Sequence, residues 1–517
     1  MEEENFWADQ IARNVVRTRG DKKTYVLAAG ITPSGTIHIG NFREMITVDL
    51  IARALRSLGK NVRFIYSWDD YDRLRRIPVN VPKQEELQKF LGYPIVDVPD
   101  TFDCHSNYAE HMEREVADAL PAVGIRPEFI RQHTMYRNCT YADEIRTCMN
   151  ARDKIREVLN KFRGKEDELP KDWWPLHVFC EKCKRDEGEV KTYDGEYSIE
   201  YECTCGHKGT INFKENGNVK LPWRVDWPMR WHFEKVDCEG GGKDHNAPGG
   251  SIDTGHAIQQ AVYNESPPVR FMYDFVIPKS GGKMSKSLGN LIRLVDVLDI
   301  YLPEVTRFFF AGTKPMKEFS IAMDEEIFKV YEDFYKVERI YFGKEESQRA
   351  AHWKRVYEMS CVDGVPKEMP AQPTFKHCVE LVNMNGTPEK ALEKIGEKLS
   401  AESRKRYLAM LACAKNWVEK YAPEDYKFKV NTKIPDVSMM DAQRSAVRSL
   451  GAKMDIINSE TELAKAFVEI TKKNGLTNHE FYRACYLILI GKETGPRLAP
   501  FIFAIGKDVV AKLFKSV

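Results

Sequence analysis

Three lysines and two glycines lie within residues 279–286, and the same segment carries a Lys-Met-Ser-Lys-Ser pentapeptide. Glycine lets a backbone approach an anion closely, and lysine ammonium groups stabilise charge that shifts between phosphate oxygens during a reaction. The segment therefore predicts a loop that handles nucleotide phosphates. Its composition also fits a solvated surface loop, because charge runs usually mark exposed surface. The candidate residues of the pentapeptide are Lys283, Met284, Ser285, Lys286 and Ser287.

A second candidate phosphate site lies far upstream, in residues 25–41. An apolar run there ends at Gly30, and residues 42–58 then place apolar side chains at helical spacing. Residues 61–68 have the pattern of another buried strand, so the whole stretch predicts a β-α-β unit. The N-terminus of its helix offers unpaired N–H groups to a phosphate, and His38 adds a side-chain donor at that point.

The two segments together resemble the two ATP-binding motifs of class I aminoacyl-tRNA synthetases. The sequence His-Ile-Gly-Asn at residues 38–41 corresponds to the first motif, and residues 283–287 match the second. Asn41 stands where many members carry a second histidine, which keeps a donor but loses a titratable group. The resemblance implies catalytic roles for His38, Asn41, Lys283 and Lys286. It implies ATP contacts from Pro33, Ser34, Gly35, His38, Gly40, Asn41, Lys283, Met284, Ser285, Lys286 and Ser287.

Four further segments resemble class I lysyl-tRNA synthetases, and this resemblance covers nearly the whole chain. The segments are residues 67–73, 222–227, 242–245 and 495–498. The resemblance implies ATP-dependent activation of L-lysine to lysyl-adenylate, followed by transfer of the lysyl group to tRNA(Lys). It also implies kinship with the glutamyl and glutaminyl enzymes. Mg²⁺ is expected with ATP, through phosphate oxygens and water.

A pocket for lysine needs an aromatic wall along the methylenes and a carboxylate or cation–π contact at the ammonium. Three tryptophans lie within nine residues, and of these Trp227 or Trp223 fits the wall. Tryptophan is also highly buried in most proteins, so a core role is the alternative. The carboxylate is one of Asp69, Asp70, Asp226 and Asp244, with Asp70 as our working assignment.

The resemblance adds four residues to this pocket. It places Gly30 and Thr32 beside the α-amine of lysine, and His245 and Tyr273 near the lysine side chain. His245 also suits nucleotide positioning, because it lies just before a glycine-rich turn at residues 248–250.

Four cysteines have the spacing of a structural zinc site. Cys180 and Cys183 form one pair, and nineteen residues later Cys203 and Cys205 form a tighter pair. His207 is an alternative to Cys205 as fourth ligand. Four unrelated reduced thiols are the competing interpretation. A zinc ion held by four protein ligands has no open coordination position, so its role would be structural.

Length and composition are those of an ordinary soluble protein with several domains: 517 residues, 43% hydrophobic and 30% charged. The acidic N-terminus differs from a secretory leader, and no apolar run approaches the roughly 18 residues of a membrane span. We infer a cytoplasmic protein with no membrane partner. A formal net charge of +1 argues neither for nor against an RNA partner.

We expect an α/β fold in which a zinc-bearing insertion splits a Rossmann-like catalytic domain, followed by an all-α anticodon-binding domain. The expected boundaries are 1–107 and 216–292 for the catalytic halves, 108–215 for the insertion with its zinc lobe at 176–212, 293–345 for a connecting fold, and 346–517 for the helical domain. The aromatic residues Phe481, Tyr482 and Phe501 fit either base stacking or a helical core.

Two other functions are compatible with parts of this pattern. One is a paralogue that binds tRNA or lysine without catalysis, which the intact His38, Gly40, Lys283 and Lys286 disfavour. The other is a small-molecule adenylyltransferase, which the length of the chain disfavours. Nothing in the sequence sets the oligomeric state, and a monomer is compatible with it.

Overall fold

The computed structural model describes residues 6–277, 291–395 and 399–517. The chain divides into two compact units. Unit 1 draws on Met1–Leu298, Pro303–Ile321 and Lys336–Lys367, and unit 2 on Asp299–Leu302, Ala322–Tyr335 and Glu368–Val517. Unit 1 is mixed α/β, whereas the described residues of unit 2 contain helices and no strand.

The strands are β1 (Thr24–Ile31), β2 (Asn61–Trp68), β3 (Glu128–Arg131), β4 (His177–Phe179), β5 (Asp186–Tyr193), β6 (Ser198–Cys203), β7 (Lys208–Asn212), β8 (Val219–Lys220), β9 (Cys238–Gly242), β10 (Val269–Tyr273), β11 (Val276–Ile277) and β12 (Phe319–Ser320). The helices are α1 (Trp7–Arg19), α2 (Ile39–Ser57), α3 (Gln84–Leu87), α4 (Tyr108–Ala117), α5 (Gln132–Arg137), α6 (Ala142–Asn150), α7 (Arg152–Lys161), α8 (Trp223–Glu234), α9 (Ser251–Ile258), α10 (Leu294–Leu298), α11 (Pro303–Ala311), α12 (Ile327–Tyr341), α13 (Ala350–Ser360), α14 (Phe375–Asn385), α15 (Pro388–Glu393), α16 (Ala401–Lys420), α17 (Asp441–Lys453), α18 (Glu460–Lys473), α19 (Asn478–Ile490), α20 (Leu498–Ile505) and α21 (Lys507–Lys515). Short 3₁₀ helices cover Gln88–Phe90, Ile95–Asp97, Leu120–Val123, Lys165–Asp167 and Glu424–Tyr426, and a π-helical turn covers Gln259–Tyr263.

The central sheet of unit 1 has the order β10-β9-β1-β2-β3, and every pairing in it is parallel. This confirms the predicted Rossmann-like class I architecture. All five strands end at the same edge, and the strand order reverses between β1 and β9. In doubly wound sheets the ligand crevice lies at that reversal, beyond the carboxyl ends of the strands.

Helix α2 connects β1 to β2, as the apolar spacing of residues 42–58 predicts. Its apolar side chains are buried all round, which is typical of a helix enclosed on every side. Arg43 on this helix is nonetheless 1% exposed. Its guanidinium donates to five main-chain carbonyls, those of Asp274 (2.8 Å), Phe275 (2.8 Å), Lys314 (3.2 Å), Pro315 (2.6 Å) and Lys317 (2.7 Å).

A second, antiparallel sheet with the order β7-β6-β5-β4-β8 lies in the chain between β3 and β9. Its buried residues, which include Val178, Val190, Ile199 and Tyr201, share one core cluster with helices α5 to α9. The bounds of this sheet differ from those of the predicted insertion, residues 108–215. Strand β3 falls inside that range and belongs to the parallel sheet, and β8 follows it and pairs with β4. Both strands are too short, at four and two residues, to show a hydrophobic period in the sequence.

Residues 346–367 also lie elsewhere than expected, because they belong to unit 1 and not to the helical unit. Buried Arg307 donates to the carbonyl oxygen of Met359 at 3.1 Å, and Arg53 donates to that of Cys361 at 2.6 Å. These two bonds attach the C-terminal end of α13 and the residue that follows it to unit 1. A helix pattern alone does not reveal such partners, since they lie some 50 and 300 residues away in sequence.

The helices of unit 2 enclose their own core, with Phe481 fully buried and Phe501 3% exposed. Neither ring is therefore open to a stacked base, and the core interpretation applies to both. Helix α19 begins with a complete capping box, in which Thr477 and Glu480 satisfy each other's backbone N–H. Within the described residues, no helix is both long and apolar enough to cross a bilayer.

Replacing Arg43 by Met tests how much the five carbonyl contacts stabilise unit 1. Because the substitution leaves buried acceptors without a donor, we expect the free energy of unfolding to fall by about 3 kcal/mol. Urea denaturation followed by tryptophan fluorescence measures the change. Arg56→Met on the exposed side of the same helix is the matched control, and equal midpoints for the two variants would show that the contacts contribute little.

Candidate active site

The first phosphate motif lies where β1 leaves the sheet and α2 begins. His38 is the N-cap of α2, and its Nδ1 accepts a hydrogen bond from the backbone N–H of Gly40 at 3.1 Å. In a neutral imidazole this makes Nε2 the nitrogen that carries the hydrogen. A Cβ on residue 40 would lie 2.8 Å from the His38 ring, so glycine is required there. The motif therefore combines a helix N-terminus with an imidazole N–H donor, as a phosphate site requires.

Asn41 completes a capping box at the same helix end, because its Oδ1 accepts from the backbone N–H of His38 at 3.2 Å. Asparagine can therefore cap the helix at the position where many proteins with this motif carry histidine. Its oxygen stabilises the helix terminus, while its amide nitrogen is the donor that remains for a phosphate. Pro33 and Gly35, which precede this helix, are buried. The Tyr108 hydroxyl donates a hydrogen bond to the main-chain oxygen of Ser34 at 3.4 Å.

The second phosphate motif, Lys283, Met284, Ser285, Lys286 and Ser287, lies outside the described residues. The described residues on either side of it meet α2. The backbone N–H of Ile39 donates to the carbonyl oxygen of Ile292 at 2.7 Å, and Arg43 binds the carbonyl of Phe275. The residues just before and just after 278–290 therefore both contact the first two turns of α2, close to the first motif.

The predicted aromatic wall forms on α8. The rings of Trp223 and Trp227 stack at a centroid distance of 4.7 Å, and Trp231 lies 5.0 Å from Trp227. His245, which follows β9, lies 5.7 Å from Trp227, and desolvation by this packing lowers the pKa of the imidazole. Trp227 is 5% exposed, so most of this residue belongs to the core.

Three of the four predicted carboxylates already have side-chain partners within the protein, which are two cations and one imidazole. Asp69 binds Arg230 at 2.6 Å, and Asp226 binds Lys220 at 3.2 Å. Asp70, our working assignment, is fully buried and hydrogen-bonded to the imidazole of His133. A buried carboxylate is stable only with such partners, which therefore occupy the place of a ligand ammonium. Asp244 is exposed.

Glu44 is a carboxylate that the sequence analysis missed, and it lies directly at the crevice. The Tyr273 hydroxyl at the end of β10 donates to its Oε2 at 3.0 Å, and the backbone N–H of Gly30 at the end of β1 also donates to it. The side chains of Glu44 and Tyr273 are both partly exposed. Desolvation, reinforced by the negative charge of Glu239, raises the pKa of Glu44 to about 8. Among the described residues, no cation forms an ion pair with it.

Arg43, Glu44 and Asp49 are consecutive charged residues in a part of α2 whose apolar side chains are buried. That contrast is the sequence signal for Glu44, because a charge inside an apolar helix needs a specific partner. Arg43 finds its partner in carbonyls and Asp49 in Arg307 at 2.7 Å. The carboxylate of Glu44 has two neutral hydrogen-bond donors, a phenol and a backbone N–H, so its negative charge is not compensated.

Thr32 connects the crevice to a buried ionic network. Its hydroxyl donates to Asp72 at 2.9 Å, and the other oxygen of Asp72 binds Lys220 at 3.1 Å. Lys220 continues to Asp226, whose second partner is Arg230. The predicted α-amine residues thus adjoin a chain of charges that reaches β8 of the insertion. Gly30 itself faces Ser67 so closely that a Cβ would lie 2.9 Å from its side chain.

The four predicted metal-binding cysteines come together at one end of the antiparallel sheet. Their sulfur atoms all lie within 4.8 Å of one another, with Cys180 3.7 Å from Cys205 and Cys183 3.6 Å from Cys203. Tetrahedral zinc with sulfur at about 2.3 Å requires sulfurs about 3.8 Å apart. The cluster can therefore hold a metal ion. His207 is not part of the cluster, and its ring packs against Tyr201 instead.

Comparison with known proteins gives a consistent result. The model of the family tRNA synthetases class I (K) matches residues 5–363. A lysine–tRNA ligase from Borrelia garinii subsp. bavariensis is 42% identical over 98% of both chains. Proteins of the same name from Treponema pallidum and Pyrococcus horikoshii are 41% and 40% identical, over 97% and 98% of this chain and 96% and 98% of their own. A solved glutamate tRNA ligase from Elizabethkingia meningosepticum aligns over 96% of this chain and 99% of its own, with 12% identity and a TM-score of 0.46. The chain belongs to the class I (K) family of tRNA synthetases.

Proposed function

We propose that this protein is a lysine–tRNA ligase, which activates L-lysine with ATP and transfers the lysyl group to tRNA(Lys). The observation that carries this proposal is the 40–42% identity to lysine–tRNA ligases over essentially the whole chain. Intact residues of the first motif support catalysis over a binding-only role, since His38 and Gly40 form a complete helix cap.

Lysine lies in the crevice between β1 and β9, with its ammonium between Glu44 and Tyr273. Glu44 supplies the negative charge, because Asp69, Asp70 and Asp226 have protein partners. Tyr273 orients the carboxylate and contacts the ammonium through its oxygen. The exposed edge of the stacked Trp223 and Trp227 covers the methylenes, with His245 beside them. Gly30 and Thr32, at the end of β1, lie next to the α-amine.

ATP binds across the N-terminus of α2, where residues 33–35, Gly40 and Asn41 surround its phosphates. The lysine carboxylate attacks the α-phosphorus, pyrophosphate leaves, and the lysyl-adenylate forms. A hydroxyl of the terminal adenosine of tRNA then attacks the lysyl carbonyl and AMP leaves. Both steps depend on alignment and charge stabilisation. His38 donates a hydrogen bond from Nε2–H to a phosphate oxygen, and Lys283 and Lys286 provide the positive charge. Mg²⁺ bound together with ATP would add to that charge.

Cys180, Cys183, Cys203 and Cys205 hold a structural Zn²⁺. The main-chain N–H groups of Lys182 and Cys183 point at the Cys180 sulfur, an arrangement that stabilises a thiolate. This zinc lobe and the rest of the insertion approach the acceptor end of the tRNA. Residues 368–517 of the helical unit read the anticodon, and the protein works in the cytoplasm.

The proposal is tested by charging purified tRNA with each standard amino acid in turn. ATP–pyrophosphate exchange is run beside it, with and without tRNA. Charging with lysine alone is the expected result. Charging with glutamate or arginine would leave the fold standing and reject the lysine pocket, and exchange with lysine but no charging would favour the binding paralogue.

Replacing Glu44 by Gln tests the ammonium site. We expect the KM for lysine to rise on the order of 100-fold, because a buried charge pair is lost, while the KM for ATP changes little. Asp244→Asn is the matched control, since Asp244 is the exposed alternative carboxylate. A larger effect on lysine in the Asp244 variant than in the Glu44 variant would reverse the assignment.

The raised pKa of Glu44, about 8, also predicts a pH dependence. The empty site holds a proton on Glu44 below that pH, whereas the lysine ammonium favours the ionised carboxylate. Lysine binding therefore releases a proton, and the KM for lysine falls as pH rises towards 8, at most tenfold per pH unit, before it levels off. Steady-state kinetics at several pH values measures this slope, which should be absent in Glu44→Gln.

Replacing Cys183 by Ser tests the zinc lobe. Loss of one thiolate should remove about one zinc equivalent per chain and lower the melting temperature, because metal binding stabilises the folded lobe. Elemental analysis and calorimetry measure the two effects. Cys139→Ser, which lies outside the cluster, should change neither, and unchanged zinc in Cys183→Ser would rule out this ligand set.

A further inference from the structure

Glu239 is a buried carboxylate with no role in the chemistry described so far. It lies on β9, opposite Ala28 of β1 in the sheet, and it is 8% exposed. Ala28 belongs to an apolar cluster that also contains Trp227 and Trp231 of α8. A carboxyl group loses its hydration in such surroundings, so it is stable only with specific hydrogen-bond partners.

The partner of Glu239 is the last of the three tryptophans on α8. The indole N–H of Trp231 donates to Oε2 of Glu239 at 2.5 Å. Trp231 contacts Trp227 at a centroid distance of 5.0 Å and an angle of 48°, and Trp227 stacks on Trp223 at 4.7 Å and 21°. These three residues, which we call the tryptophan row, are four residues apart and so share one face of the helix. The hydrogen bond joins the end of this row to β9.

The negative charge of Glu239 is only weakly compensated. Among the described residues, none forms an ion pair with it. Arg230 acts on it from α8, but the guanidinium binds Asp69 at 2.6 Å and Asp226 at 3.4 Å. Desolvation therefore raises the pKa of Glu239 to about 7, against the charge of Arg230 and the hydrogen bonds of the indoles.

The charge of Glu239 also acts on Glu44, the carboxylate proposed to bind the lysine ammonium. Desolvation raises the pKa of Glu44 most, and the charge of Glu239 is the next largest cause. An ionised Glu239 therefore opposes the ionisation of Glu44 in the empty crevice. A ligand cation relieves this repulsion, so the two carboxylates together favour a positively charged side chain.

Near pH 8 these two glutamates are the groups whose charge changes. The elements packed around them also carry Tyr66, Asp69, Arg230, His256, Arg270 and Tyr273. Burial raises the pKa of both tyrosines and raises that of Asp69 to about 6. Burial, with the charge of Arg270, lowers the pKa of His256 to about 4. Both arginines stay charged in this range.

We propose that Glu239 is a positioning residue for the amino acid substrate, which fixes the tryptophan row through Trp231 and adds negative charge that favours a ligand cation at Glu44. The effect on the substrate rests on the proposed function, whereas the effect on the tryptophan row does not. A residue that served only as a hydrogen-bond acceptor would need no charge. Glu239→Gln, which keeps an acceptor oxygen, and Glu239→Leu, which removes it, therefore separate the two contributions.

Near-ultraviolet circular dichroism tests the effect on the tryptophan row. Indoles in close contact couple electronically, and the resulting bands depend on the angles between the rings. We expect Glu239→Gln to retain the bands of the natural chain. In Glu239→Leu we expect them to weaken, because the indole N–H of Trp231 loses its acceptor. Unchanged bands in Glu239→Leu would overturn the positioning role.

The pH dependence of steady-state kinetics tests the charge. In Glu239→Gln the pH at which the KM for lysine levels off should fall by about half a pH unit, because Glu44 ionises more easily without a like charge nearby. The KM for ATP should stay within about twofold. Glu234→Gln, also on α8, is the matched control, since this carboxylate binds Arg63 at 2.6 Å. An unmoved pH profile in Glu239→Gln would show that the charge has no role.

A comparison of KM values separates this proposal from the proposed function. If the natural chain charges tRNA with lysine, Glu239→Leu should raise the KM for lysine on the order of tenfold, because the tryptophan row is no longer aligned. An unchanged KM for lysine would reject the positioning role and leave the lysine–tRNA ligase activity standing. If the natural chain charged no lysine, the proposed function would fail, and circular dichroism would still decide whether Glu239 positions the tryptophan row.

Discussion

The active-site edge of this protein is organised by the need to compensate buried carboxylates. Asp69, Asp72 and Asp226 are compensated by Lys220 and Arg230, and Asp70 by the imidazole of His133. Separating a buried carboxylate from its cation is strongly destabilising, so each of these pairs fixes the elements that carry it. Glu44 differs, because burial raises its pKa to about 8 and a proton provides the compensation instead. A proton is readily exchanged for a ligand cation, whereas an arginine held by its own helix is not.

The same ionic network joins the insertion to the catalytic sheet. Lys220 lies on β8, and β8 pairs with β4 so that Lys220 is opposite His177, three residues before Cys180. The ammonium of Lys220 binds Asp72, which accepts from Thr32 at the crevice. One strand pair and two hydrogen-bonded links therefore connect the cysteine cluster to Thr32, which follows β1.

The sequence was sufficient for the features that depend on local pattern. The β-α-β unit, the first phosphate motif and the four clustered cysteines all follow from spacing, and the parallel sheet confirms the fold class. The carboxylate of the crevice could not be identified in this way. Asp69 and Asp70 follow a buried strand directly, as ligand residues often do, but their partners, Arg230 and His133, are 161 and 63 residues away in sequence. Only the folded chain shows that those carboxylates are paired and that Glu44 is not.

Domain boundaries are difficult to predict from the sequence for a related reason. Strands β3 and β8 are defined by their hydrogen-bonded neighbours and not by any period of their own, since they have four and two residues. The attachment of α13 to unit 1 likewise depends on Arg307 and Arg53, which are distant in sequence. Sequence patterns as short as these strands contain too little information to be assigned to a sheet or domain without knowledge of the elements that contact them.

Helix α2 shows why the phosphate motif and the amino acid pocket are built on one element. His38 and Asn41 form its N-terminal cap, and Arg43 and Glu44 follow within the next turn. Because 1.5 Å of rise separates successive residues of an α-helix, the whole set spans about 9 Å along the helix axis. Arg43 fixes the chain that enters residues 278–290, and Glu44 faces the crevice between the strands. Most side chains of α2 are buried, so packing holds the N-terminal cap and Glu44 at a fixed separation. Under the proposed function, this separation also sets the distance between the nucleotide phosphates and the lysine ammonium, so a shift of α2 would disturb both substrates together.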